Sequence, residues 1–127
     1  MNVFAEITDL PKRIQENLPQ EIISNFIAGF KTALKPNVTI PILWMIIYKN
    51  GIVLCCTHKT RCVFKQIIAS DIDSIKVHKG LHFSGAVLQI LFKEISEEDF
   101  FVMLPSGINC GEIKDLLRNQ GYQILES

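Results

Sequence analysis

The sequence predicts an α+β domain, a run of antiparallel strands with helical structure at both ends, and three observations carry that prediction. Asn50-Gly51 sits between two runs of β-branched and aromatic residues, and this dipeptide can take positive φ at both central positions of a two-residue hairpin turn. Ahead of it, Ile22, Ile23, Phe26, Ile27, Phe30 and Leu34 recur at spacings of three and four, the period of a helix with one apolar stripe. Near the end, Asn109 and Glu112 precede Ile113, Leu116 and Leu117, the pattern of a capped amphipathic helix.

The bulk numbers agree with one globular unit. A chain of 127 residues can remove about two-thirds of its unfolded surface from water, enough for a single core. With 48% hydrophobic and 20% charged residues, it lies outside the composition of disordered chains. Residues 1–127 read as one domain, with a helical extension over 1–36 and a strand-rich unit over 40–125. Glu6 and Asp9 interrupt the opening stretch, so it lacks the apolar run of a secretory signal. Ile40 to Tyr48, the longest apolar run, has about half the length a membrane-spanning helix needs. The expectation is a cytoplasmic protein, and there Cys55, Cys56, Cys62 and Cys110 stay reduced thiols.

Taken in order, Pro11 and Pro19 each mark a helix start, and the apolar stripe from Ile22 onward extends the second start to Leu34. That stripe packs either on the sheet or on a second copy of itself. Strands follow at 42–49 and 52–58, and a turn centred on Asn50-Gly51 pairs Lys49 with Ile52, Tyr48 with Val53 and Ile46 with Cys55. Both faces of this hairpin are apolar, so one belongs in the interior of a curled sheet and the other beneath a helix. Further strands read at 61–68, 72–78, 87–93 and 100–104, a meander rather than a βαβ series. Ile108 can staple to Ile113 at the start of the last helix, Gly121 suits its left-handed end, and Tyr122 to Leu125 can add an edge strand.

The Lys49-Asn50-Gly51-Ile52 hairpin, the segment Asp71-Ile72-Asp73-Ser74-Ile75 leading into a strand, and the single C-terminal helix together resemble the bacterial pleckstrin-homology-like domains. The resemblance covers about residues 40–125 and leaves out the N-terminal helical region. It implies an antiparallel roll or partly open barrel with the C-terminal helix plugging one end, and a non-catalytic binding or assembly role. It does not by itself imply a phosphoinositide ligand.

Residue by residue, enzymatic readings find little support. Neighbouring residues of a strand point to opposite faces, so Cys55 and Cys56 cannot readily share a metal ion. Cys62 and Cys110 add no paired spacing. Cys56 and His58 share a strand face, which keeps a small cysteine-dependent enzyme as an alternative, but no third group orients the imidazole. Asp71 reads as a turn acceptor rather than as half of a carboxylate pair with Asp73. The glycines form no phosphate loop. The sequence therefore predicts no catalytic residue, no metal ligand and no cofactor.

Charge is the sharper signal. The formal net charge is zero, which argues against bulk capture by nucleic acid or a membrane, yet residues 49–82 hold six Lys/Arg against two Asp, and residues 83–127 hold three Lys/Arg against seven Asp/Glu. His58, Lys59, Arg61, Lys65, Lys76 and Lys79 are the candidate ligand-binding group at strand ends, suited to an acidic peptide, a phosphate or an anionic lipid head group. The bland reading is that these cations protect sheet edges from aggregation. Ile22, Phe26 and Phe30 are the candidate partner-binding stripe, and they also permit a chaperone-like dimer. The partners expected are thus a protein or a second copy of the chain, or an anionic ligand; nucleic acid is disfavoured, because basic and aromatic residues do not alternate on an exposed strand.

Overall fold

Two prolines start the first helices, as the sequence indicates. Pro11 precedes α1 (Lys12–Asn17) and Pro19 precedes α2 (Gln20–Ser24), positions where a missing N–H costs no helical hydrogen bond. The computed structural model describes residues 5–32, 43–56, 63–79, 84–105 and 107–125, apart from the side chains at 64, 84 and 85. Among these residues the chain forms three α-helices and eight strands in two sheets.

The second helix does not run to Leu34. It stops at Asn25, whose side-chain Nδ2 donates to the Glu21 carbonyl at 2.7 Å, and Phe26–Thr32 is a strand, β1. A spacing of four residues fits a helix but is also an even number, and so fits one face of a strand. The expected helical extension over 1–36 is therefore corrected: helix ends at Ser24, and the sheet begins fourteen residues before residue 40. A bulge between Phe26 and Ala28 then sends Phe26 and Phe30 to opposite faces.

The first sheet has the order β1-β2-β3-β4, with β2 at Leu43–Tyr48, β3 at Gly51–Cys56 and β4 at Val63–Ile68, all antiparallel. The hairpin between β2 and β3 is present, but its turn is Lys49-Asn50: Tyr48 pairs with Gly51, Ile47 with Ile52 and Ile46 with Val53. The expected register is thus displaced by two residues. The reason lies at Gly51, where an added Cβ would stand 2.2 Å from the Ile67 carbonyl oxygen of β4. Glycine is needed for close approach of a neighbouring strand rather than for a positive φ, which among the described glycines occurs at Gly121 alone. Because a shift of two preserves side-chain parity, Cys55 and Cys56 remain on opposite faces.

The second sheet has the order β7-β6-β5-β8, formed by β5 (Ile72–Lys79), β6 (Ser84–Phe92), β7 (Phe100–Pro105) and the short parallel β8 (Ile124–Leu125). A 3-10 turn at Ala69–Asp71 carries the chain from one sheet to the other, held by the Ala69 N–H donating to the Asn50 carbonyl at 2.8 Å. The sheets remain open. Where β1 approaches β7, the Thr32 hydroxyl donates to the Met103 carbonyl. The last helix, α3 (Cys110–Asn119), is capped as expected: the Asn109 side chain accepts from the Glu112 N–H at 2.8 Å.

Apolar residues divide into two clusters. The larger fills the space between the sheets, with Met45, Ile47 and Leu54 from one, Ile75, Leu88 and Val102 from the other, and Ile113 and Leu117 from α3. The smaller lies on the outer face of the first sheet, where Leu10, Ile14, Leu18 and Ile22 meet Ile46, Val53 and Cys55. All six residues of β3 are buried, which is why its sequence is apolar on both faces. The N-terminal helices thus pack within the chain, onto its own sheet.

Candidate functional site: the open face of the second sheet

Among the described residues, the first sheet is covered on both faces and the second on one. Its inner face joins the large cluster, while Val87, Leu91, Phe101 and Met103 point the other way and belong to neither cluster. Cross-strand pairing sets them side by side: Gln89 lies between Lys76 and Phe101, and Val87 lies between His78 and Met103. Phe101 is 47% exposed and the other three are half-buried. An aromatic ring in that state has area to give to a partner, since burying it removes apolar surface from water at about 25 cal/mol per Å².

A polar chain crosses the same face. Gln89 Nε2 donates to Asp99 Oδ2 at 2.7 Å, because a carboxylate only accepts. Gln89 Oε1 is therefore the atom facing His78 Nε2, 2.8 Å away, and that ring nitrogen carries the proton. The network ties β5 through β6 to the end of the loop that precedes β7. That loop is acidic, with Glu94, Glu97, Glu98 and Asp99 exposed, and Ile95 within it is 98% exposed. The face thus has a carboxylate end at the β6–β7 loop and the Lys76 ammonium on β5.

Of the sequence-derived ligand group, the three described residues are not assembled at one place. His58, Lys59 and Arg61 lie outside the described residues. Of the others, Lys65 on β4 pairs with Leu54 and holds its ammonium 4.9 Å from the Phe100 ring centroid. Lys76 is on the outer face of the second sheet, and Lys79, exposed at the end of β5, pairs with Ala86. Lys65, Lys76 and Lys79 therefore occupy two sheets and do not converge on one anion.

The candidate partner stripe is also taken apart. Ile22 and Phe30 are each 1% exposed, Ile22 in the smaller cluster and Phe30 in the larger, and Phe26 is half-buried in the smaller. A helical docking stripe of Ile22, Phe26 and Phe30 does not exist, and the chaperone-like dimer built on it goes with it.

Cys55 and Cys56 are fully buried. A thiol with no exposed surface cannot meet a substrate, so the Cys56/His58 alternative loses its nucleophile; His58 is outside the described residues. The Cys110 thiol points to the His78 carbonyl oxygen at 3.7 Å rather than to its imidazole. No group of three His, Cys, Asp or Glu converges for a metal among the described residues.

One further recess, of about 380 Å³, is lined by Asp73, Lys93, Gln120 and Tyr122 among others. The Tyr122 hydroxyl is buried and has no hydrogen-bond partner among the described residues. Burial, and secondarily the Tyr48 phenol, push its pKa up to about 12.

Sequence reasoning missed the open face because its residues carry no motif. Phe100 and Phe101 are adjacent and chemically identical, and only the register of β7 decides that Phe100 turns inward and Phe101 outward. No protein-family model matches the chain, and no curated protein matches it.

Proposed function

We propose that the chain is a non-enzymatic binding or assembly module that recognises a protein through the outer face of its second sheet. The observation that carries this reading is the half-exposed Phe101 set among Val87, Leu91 and Met103, next to Lys76 and His78, on a sheet whose counterpart is covered. A central aromatic with charges at the margin is the usual make-up of a protein interface. A protein fits better than a small anion, because the described cations do not converge. The arrangement of two open sheets with α3 set into the core between them supports kinship with pleckstrin-homology-like domains. No described helix is long and apolar enough to cross a membrane.

A photo-crosslinking residue placed at position 101, with Glu16 on the covered side as the control position, tests this in cells. We expect discrete protein adducts from position 101 that are lost with Lys76→Glu and are not formed from position 16. Identical adducts from both positions, or none from position 101, would sink the reading.

A further inference from the structure

We infer that Asn50 is a site of spontaneous covalent modification, deamidation through a succinimide, which the folded chain suppresses and opening of the β2–β3 turn releases. The sequence holds seven asparagines, and Asn50 alone is followed by glycine. The others precede Val, Leu, Phe, Cys or Gln, whose side chains crowd the backbone nitrogen that must react. The chemistry is intramolecular. The Gly51 nitrogen loses its proton to solvent base and attacks Asn50 Cγ. The Cγ–Nδ2 bond breaks, and Nδ2 takes up a proton and leaves as ammonia. Water then opens the five-membered ring at either carbonyl, leaving aspartate or isoaspartate at position 50. One water enters, one ammonia leaves, and no oxidant or reductant is needed.

Folding keeps the two reacting groups off that path. The nucleophile belongs to the Asn50–Gly51 peptide unit, which is planar, so fixing its carbonyl also fixes its nitrogen. That carbonyl accepts from the Ala69 N–H at 2.8 Å, in the 3-10 turn between the sheets. Gly51 itself begins β3 and pairs with Tyr48, with the Ile67 carbonyl oxygen only 2.2 Å from where a Cβ would stand. The electrophile is held separately: Asn50 Nδ2 donates to Glu21 Oε1 of α2 at 3.2 Å. Closing the ring requires the peptide plane to turn, and turning it costs the Ala69 bond and the Tyr48 pairing together. The reaction therefore runs through the open state of the turn, at a rate set by how often that state is visited. Asn50 is exposed, so water and base reach it once the plane is free.

The product does not fit the place it came from. Aspartate sets a carboxylate beside Glu21 where an amide donor stood, and like charges repel. Isoaspartate carries the chain through its side-chain carbon. That adds a backbone atom to a two-residue turn whose length fixes the Tyr48–Gly51 register. Each opening that ends in reaction leaves a chain unable to close as before, so a transient opening becomes a permanent mark.

Peptide mass mapping of the purified chain, held folded or in urea in mildly alkaline buffer, reads the amide-to-acid mass gain at position 50, with released ammonia assayed alongside. The unfolded chain should react at Asn50 ahead of its other asparagines, and the folded chain should react about 100-fold more slowly. Urea below the unfolding transition should speed the folded reaction. Ala69→Pro removes the anchoring N–H at the first position of a 3-10 turn, after Ile68 at φ −83° and ψ 133°, a conformation that proline accepts in its neighbour. It should raise the folded rate about 5-fold, the effect of losing one backbone hydrogen bond, and leave the unfolded rate unchanged. Thermal unfolding checks that this variant folds, and the urea series on the wild type needs no variant. Asn50→Asp should lower the urea midpoint, and Glu21→Gln added to it should restore part of the loss. Equal rates in folded and unfolded chains overturn the inference, as does an unfolded chain that leaves Asn50 intact. An Asn50→Asp midpoint equal to that of the wild type overturns the permanent mark.

Discussion

At Gly51 the missing side chain makes room for a backbone oxygen. The Ile67 carbonyl would lie 2.2 Å from a Cβ there, and the Tyr48 hydroxyl 3.2 Å from it, so Gly51→Ala forces β3 and β4 apart. The expected cost is about 3 kcal/mol, an overpacking penalty felt by backbone on both sides, and it is read as a lowered urea midpoint. Gly111 is the contrast. It sits in α3, the nearest atom to its Cβ position is the Asn109 side-chain oxygen at 3.4 Å, and Gly111→Ala should stabilise by about 0.5 kcal/mol through helix propensity. Tyr122 gives a pH-dependent prediction. Its folded pKa is raised to about 12 from 10.0, so the unfolded chain loses the phenol proton first as pH rises. Stability from this group is complete below about pH 10 and is lost between about pH 10 and 12. Urea midpoints of wild type and Tyr122→Phe should therefore converge or cross in favour of Phe over that window; a difference constant with pH would refute the assignment.

Elements show where sequence reasoning works and where it fails. The proline starts of α1 and α2, the Asn109 cap and most strands are local chemistry, written in a few neighbouring residues. The strand Phe26–Thr32 is not. Its apolar spacing of four suits helix and strand alike, and the choice is made by pairing with β2, a partner 11 to 22 residues further on. The hairpin turn failed for a related reason: Asn50-Gly51 satisfies the local rule for a turn, but the close pass of Ile67 claims Gly51 for the strand. The candidate face was hidden likewise, since parity along β7 and not residue type exposes Phe101. The element-level tie between the sheets is also tertiary. Thr32 is 8% exposed and its hydroxyl donates to the Met103 carbonyl. Thr32→Val keeps the shape and removes the donor, leaving a carbonyl short of a partner. We expect a loss of about 1–2 kcal/mol, with amide exchange quickened in β1 and β7 ahead of β3.

Over the whole molecule, the first sheet works as a partition. Its inner face, through Met45, Ile47 and Leu54, joins the second sheet and α3 in the larger cluster, and its outer face, through Ile46 and Val53, joins the N-terminal helices in the smaller. The partition predicts how mutations combine. Ile14 and Leu88 are both fully buried but lie in different clusters, with the backbone of the first sheet between them. Ile14→Val should cost about 1 kcal/mol and Leu88→Ala about 3 kcal/mol. Sites without shared neighbours add to within about 0.5 kcal/mol, so the double variant should fall near the sum in chemical denaturation. Ile47 and Leu88 share the larger cluster, and Ile47→Val with Leu88→Ala should depart from additivity, because one cavity relaxes into the other. If instead the Ile14 and Leu88 pair couples by more than about 1 kcal/mol, strain passes through the sheet and the two clusters behave as one core. A helical layer independent of the core beneath it would leave the second sheet, with its open face, unchanged when the N-terminal helices are weakened. The Ile14→Val variant should accordingly retain the wild-type position-101 crosslinks.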